Sequence, residues 1–144
     1  MSKIYLSGAI SSKDDPFAWH NEIVAEDWGD HEFINPYTLN EFEIGDDSIY
    51  EYPERVVEPA LEEVRDCDGM FVHWDDDAFL IGTAMEIKEA YDNNIPIVIW
   101  YNGWRDNLSP WLLHTMKAQF EDREKALKVL LTFAGDNSAI TESI

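Results

Sequence analysis

The chain is 144 residues long and 45% hydrophobic, and it sets 30 acidic side chains against 10 basic ones for a formal net charge of -20. That length is enough for a single domain, residues 1–144, to close a core, while so negative a field repels phosphate backbones and anionic lipids and so excludes a nucleic-acid polymer or a membrane surface as partner. Cys67 is the only cysteine, which rules out an intrachain disulfide. The histidines His20, His31, His73 and His114 lack zinc-ligand spacing, so no metal is expected, and without a signal segment or a bilayer-length apolar run the expected location is the cytoplasm.

In chain order, Lys3 to Ala9 (KIYLSGA) is rich in β-formers and ends at Gly8, which predicts a buried strand turning into a loop. Asp14-Asp15-Pro16 then offers an N-cap with proline in the first turn, and Phe17, Ile23, Val24 and Trp28 before Gly29 outline a helix. Glu32 to Asn35 makes a short second strand. Residues 36 to about 52 are acidic, aromatic and aperiodic, as in a lid or specificity loop. Within Glu54 to Asp66, Pro59 is costly in a helix interior, so it is placed in the first turn of the main helix, with Ala60, Leu61 and Val64 facing the core. Gly69 to Trp74 is a third strand, Gly82 to Asn93 a helix, and Ile95 to Tyr101 a nearly all-apolar fourth strand. Ser109-Pro110 opens another helix, and Asp122 to Phe133 carries Ala126, Leu127, Leu130 and Leu131 on one stripe.

This alternation predicts an α/β fold, a flavodoxin-like or Rossmann-like doubly wound parallel sheet with strand order 2-1-3-4. Ligands bind such sheets outside the carboxyl ends of the strands at the switch point, here between strands one and three. The candidates are therefore Ser7, Gly8, Ala9 and Ile10, the segment from Asp75 to Gly82, and Asn102 with Gly103. Glu86, just beyond, admits two readings. Thr83-x-x-Glu86 has capping-box spacing, in which Glu86 bonds back to the Thr83 amide. Equally, a carboxylate in the first helical turn, where the helix terminus stabilises an anion by about 0.3 to 1 kcal/mol, is a usable nucleophile toward a sugar carbon. Spacing alone leaves both open.

Four blocks bear on the choice: Ile4-Tyr5-Leu6-Ser7-Gly8-Ala9-Ile10, Cys67-Asp68-Gly69, Gly82-Thr83-Ala84-Met85-Glu86-Ile87 and Asn107-Leu108-Ser109-Pro110-Trp111. Together and in order they resemble the nucleoside 2-deoxyribosyltransferase family, which includes related hydrolases of 2′-deoxynucleoside 5′-monophosphates. The resemblance implies that Glu86 attacks the anomeric carbon, that Tyr5 orients this carboxylate, and that Gly8 lets the substrate approach. It further implies that Asn107 is lent to the site by a neighbouring subunit, and so a homo-oligomer, dimer or higher, with shared sites. The small-molecule partners would be a deoxynucleoside and a nucleobase, no cofactor is called for, and the setting would be nucleotide salvage.

Two positions depart from the family. Leu80 stands where transferases carry an aspartate and the monophosphate hydrolases a serine, and Ala60 stands where another family aspartate falls. The missing polar groups are sought in Asp75, Asp77 and Glu58, with Gly82 and Thr83 at the helix start and Trp74 or Trp104 stacking on the base. The reaction implied is base exchange through a covalent Glu86 intermediate. One alternative is an N-glycosidase of deoxynucleosides or their 5′-monophosphates, with Ser11, Ser12 and Lys13 as phosphate donors; another is a non-catalytic nucleotide-binding module in which Glu86 only caps.

The charge itself is read as halophilic adaptation, because 13% aromatic content and regular apolar segments argue against disorder. At molar salt the screening length falls to about 3 Å, which removes most of the repulsion among the carboxylates. The expected outcome is a thermal midpoint that climbs steeply from dilute buffer to molar KCl; an unchanged midpoint would count against the adaptation.

Overall fold

The computed structural model describes residues 2–9, 15, 17–36 and 48–135. Its elements run β1 (Lys3–Gly8), α1 (Ala18–Ala25), β2 (Glu32–Ile34), the short helix α2 (Ser48–Glu51), α3 (Glu54–Asp66), β3 (Gly69–Trp74), α4 (Ile81–Asp92), β4 (Ile97–Tyr101), α5 (Pro110–Thr115), β5 (Ala118–Phe120) and α6 (Arg123–Gly135). The strands form one parallel sheet in the order β2-β1-β3-β4-β5. This is the doubly wound α/β arrangement expected, extended by an edge strand. Three half-buried residues make up β5, too few for a period-two pattern to stand out in the sequence.

Because side chains alternate across a strand, each central strand feeds two cores. Ile4 and Leu6 of β1, Phe71 of β3 and Val98 of β4 pack with Trp19 and Ile23 of α1 and Ala126, Leu127 and Leu130 of α6. On the opposite face Tyr5, Met70, Val72, Ile97 and Ile99 pack with Val64 of α3, Ile87 and Ala90 of α4, and Leu112 of α5. Burial on both faces explains why Ile97–Tyr101 reads as an unbroken apolar run.

Pro59 is the main correction to the expected elements. It does not open a helix; α3 starts at Glu54, behind Pro53, and holds Pro59 in its interior. Proline has no N–H to bond the preceding turn and normally disrupts the helix. Here the apolar residues Val56, Val57, Ala60 and Leu61 lie on both sides of it and line one cleft, so the helix must run through the proline to present them. The helix α1 begins after Phe17 without a side-chain cap; of the expected cap, Asp14 and Pro16 lie outside the described residues, as does most of the predicted loop, residues 37–47. The Ser109 cap is present, its hydroxyl accepting from the Trp111 amide ahead of Pro110. No helix among the described residues is long and apolar enough to cross a membrane.

Beneath the sheet, on the α1 and α6 side, two histidines sit within an aromatic cluster. His73 stacks on Trp100 at 3.9 Å between ring centroids, and His20 lies 3.8 Å from Trp19. Burial lowers both from 6.5 to about 4, His20 with help from the neighbouring His73, while Asp75 opposes the shift at His73. The folded state therefore keeps these rings neutral while the unfolded chain takes up protons. Their contribution to stability is whole above about pH 6.5 and is lost as the pH falls toward 4, roughly 3 kcal/mol for each ring at full protonation. Acidification also relieves carboxylate repulsion, so the measurement is comparative: His73→Phe is expected to lose less stability than the parent between pH 6.5 and 5, by thermal melts at fixed salt.

Candidate functional site

Tyr5 and Ser7 are two residues apart on β1, so both point to the face covered by α3 and α4. Thr83, Ile87 and Ala90 form the buried stripe of α4, and Glu86 flanks it. This spacing brings the Glu86 carboxyl to β1. The Tyr5 hydroxyl donates to its Oε2, and the Ser7 hydroxyl donates to its Oε1 at 2.8 Å. Both partners are fully buried, and each carboxylate oxygen has its own donor.

Glu86 also lines a cleft of about 460 Å³ at the carboxyl ends of β1 and β3, the predicted switch point. Gly8, Ala9, Gly82 and Thr83 line it too, and Val56, Val57, Ala60 and Leu61 of α3 supply an apolar wall completed by Phe79 and Met85. No lysine or arginine among the described residues lines it. Burial pushes the Glu86 carboxyl above its ordinary range, and the Tyr5 and Ser7 hydroxyls pull it partly back. Only the deprotonated carboxylate is nucleophilic, so the two donors favour the reactive form.

The capping box is absent. The helix α4 begins at Ile81 with Leu80 at the cap position and no side-chain bond there, which leaves Thr83 inside the helix and Glu86 in the second turn. Its carboxylate is held by β1 instead of the Thr83 amide, beyond the first turn where the helix dipole acts strongly. Gly8, which lines the cleft, also has a packing reason of its own. Its φ is +145°, and an added Cβ would fall 2.4 Å from the His73 carbonyl oxygen, so glycine is what lets β1 and β3 close together beneath the cleft. An added Cβ on Gly82 meets nothing within 4 Å.

Other candidates lie away from the cleft lining. Asp75 accepts from the Asp77 amide at 2.9 Å, and Asp77 accepts from the Trp104 indole at 3.1 Å. Glu58 is exposed on α3, while Trp74 packs against the core. Asn107 is exposed, and its side-chain oxygen accepts from the Leu108 amide and the Gln119 amide group, both at 3.0 Å. Ile10, Ser11, Ser12 and Lys13 lie outside the described residues. Sequence reasoning placed Ser7 in the substrate site without foreseeing its bond to Glu86, although its period-two relation to Tyr5 is the signal. It also passed over Asp76, the acceptor for Tyr101 and Arg105.

No protein-family model and no curated protein sequence matches the chain. Solved structures do. A 2-deoxyribosyltransferase from the psychrotolerant bacterium Bacillus psychrosaccharolyticus superposes with a TM-score of 0.70 at 23% identity, over 86% of this chain and 89% of that one. A conserved protein from Enterococcus faecalis V583 superposes at 0.64 and 19% identity, over 89% and 96%. The chain has the nucleoside 2-deoxyribosyltransferase-like fold.

The two hydroxyls make a direct test available. Each lowers a carboxyl that burial raises, so Ser7→Ala and Tyr5→Phe are each expected to move the Glu86 titration to higher pH. Carboxyl-selective NMR reads this without substrate; a midpoint that stays put in both variants would remove the hydroxyls from this role.

Proposed function

We propose that the protein transfers a 2-deoxyribosyl group, with Glu86 attacking C1′ of a 2′-deoxynucleoside. The observation that carries this reading is the Glu86 carboxyl at the cleft, one donor on each oxygen. In the first step a bond forms between a Glu86 oxygen and C1′ while the N-glycosidic bond breaks through an oxocarbenium-like transition state, and the base leaves with the bonding electrons. A second base attacks C1′ and releases the carboxylate, so two inversions give net retention. The Ser7 donor keeps one carboxylate oxygen engaged while the other reacts. The apolar wall takes the flat faces of the base and keeps water from the ester.

Capture by water would instead make the protein an N-glycosidase. The acid that assists base departure is assigned to none of the described groups at the cleft; Asp75 and Asp77 retain that role only if their loop moves inward. Asn107 does not line the cleft of its own chain, so we assign its proposed role to a second copy in a homo-oligomer.

Incubation with a deoxynucleoside and a different free base separates the readings: a new nucleoside marks transfer, free sugar marks hydrolysis, and no turnover marks neither. Glu86→Gln is expected to lose activity by at least about 10³-fold. The folded pKa of Glu86 is raised, so its contribution to stability is whole below the ordinary glutamate range and is lost as the pH climbs through the folded value; in Glu86→Gln this fall of the thermal midpoint with rising pH is expected to disappear. Activity within a few-fold of the parent would remove Glu86 as nucleophile.

A further inference from the structure

The loop from β3 to α4 carries Ala78 and Phe79 to the cleft, and Phe79 is 89% exposed there. Met85 and Val57, also cleft residues, are 62% and 42% exposed. Three apolar side chains around one apolar hollow have a cheaper arrangement than standing open to water, namely Phe79 folded across the opening. Something must hold the loop against that collapse.

The run Asp75-Asp76-Asp77 supplies the restraint, each member with a different partner. Asp75 closes the turn by accepting from the Asp77 amide. One oxygen of Asp76 accepts from the Tyr101 hydroxyl at 2.6 Å and from the Arg105 amide at 3.1 Å, and Asp77 accepts from the Trp104 indole. The loop before α4 is thus tied at two successive residues to the segment that follows β4. Gly103 sits against this knot, for an added Cβ there would lie 2.1 Å from an Asp76 carboxyl oxygen and 2.2 Å from the Tyr101 ring. The Arg105 carbonyl lies 3.1 Å from the same Tyr101 hydroxyl and shares its single proton with Asp76, which draws the receiving segment into the knot.

We propose that Asp76 is a positioning residue, whose bonds to Tyr101 and Arg105 hold Phe79 clear of the cleft and thereby set its affinity for the base. The link to affinity rests on the nucleoside reading above; the fastening of the loop does not. Asp76 does not line the cleft, so its effect passes through the loop that bears Phe79. Asparagine keeps an oxygen that can accept from both donors and is expected to substitute for aspartate.

The experiment is a double-mutant cycle on the binding of free adenine and free thymine, measured calorimetrically, with amide hydrogen exchange of the ligand-free proteins alongside. Asp76→Ala is expected to weaken binding by about tenfold, Tyr101→Phe by about threefold and Asp76→Asn by less than that. In a Phe79→Ala background the Asp76→Ala change is expected to lose its effect, because no ring remains to close the cleft. A purely structural lesion would weaken binding equally in both backgrounds, which would overturn the proposal. Exchange is expected to quicken at residues 75–80 while β3 and β4 stay protected; an unchanged loop would overturn the fastening itself. If neither base binds the parent, the nucleoside reading and the affinity claim both fail, and hydrogen exchange still decides the fastening. Should Asp76→Ala not fold, Tyr101→Phe carries the same cycle.

Discussion

A carboxyl withdrawn from water resists ionisation unless donors meet its oxygens, and Glu86 meets one hydroxyl on each. Much of the arrangement around the site follows from that requirement. The donors must come from alternate residues of one strand, which Tyr5 and Ser7 are, and that strand must lie beneath the second turn of α4. The sheet order places β1 beside β3, the strand that feeds α4, and the glycine at position 8 lets the ends of the two strands approach. A bulkier residue there would move β1 and carry the donors with it.

The acid-rich composition has two separate consequences. Ten cations cannot pair with 30 carboxylates, and the ion pairs among the described residues, such as Arg123 with Glu22 and Glu26 or Lys88 with Asp92, lie at the surface where each contributes little. Most of the charge is therefore a solvation and repulsion term. Asp76 is different, because geometry gives it two donors. Desolvation would raise its carboxyl, but the Tyr101 hydroxyl and the Arg105 amide outweigh it and hold the group below its ordinary range. An acidic run thus mixes ornament with fastening, and composition cannot tell them apart.

The fold was legible where periodicity was long. The strands at 3–8, 69–74 and 97–101 and the helices of the second half appear in the sequence close to their observed limits, since two-sided burial writes apolar runs and helix faces write stripes. Pro59 was misread because local propensity argued for a boundary, whereas tertiary burial of the α3 face runs straight across it. Thr83 and Glu86 were ambiguous for a related reason: a capping box is a spacing, but its meaning depends on where the helix begins, and Leu80 rather than Thr83 occupies the cap. Glu86 itself emerged from spacing and resemblance together. The partners of Asp76 and Asp77 could not be read, because Arg105 and Trp104 reach them across 29 and 27 positions of chain that only the sheet brings together.

What the cleft lacks is as informative as what it holds. Leu80 and Ala60 stand where the resemblance carried by the sequence would place polar residues. Leu80 is buried at the head of α4, and Ala60 lies in the cleft wall. An aspartate at position 60 would put a polar acceptor and a further negative charge on the cleft that Glu86 lines, whose carboxyl burial already pushes up. An apolar group there spares Glu86 that repulsion and leaves the wall without a directional polar contact. Under the proposed function a base would be held by shape and face contact, and the wall that carries Phe79 belongs to the loop that Asp76 and Asp77 tie to Tyr101, Trp104 and Arg105. Carboxyl and wall are therefore held by separate polar contacts at the same end of the sheet: the β1 hydroxyls meet the Glu86 carboxyl, and the loop acids fasten the segment that carries Phe79.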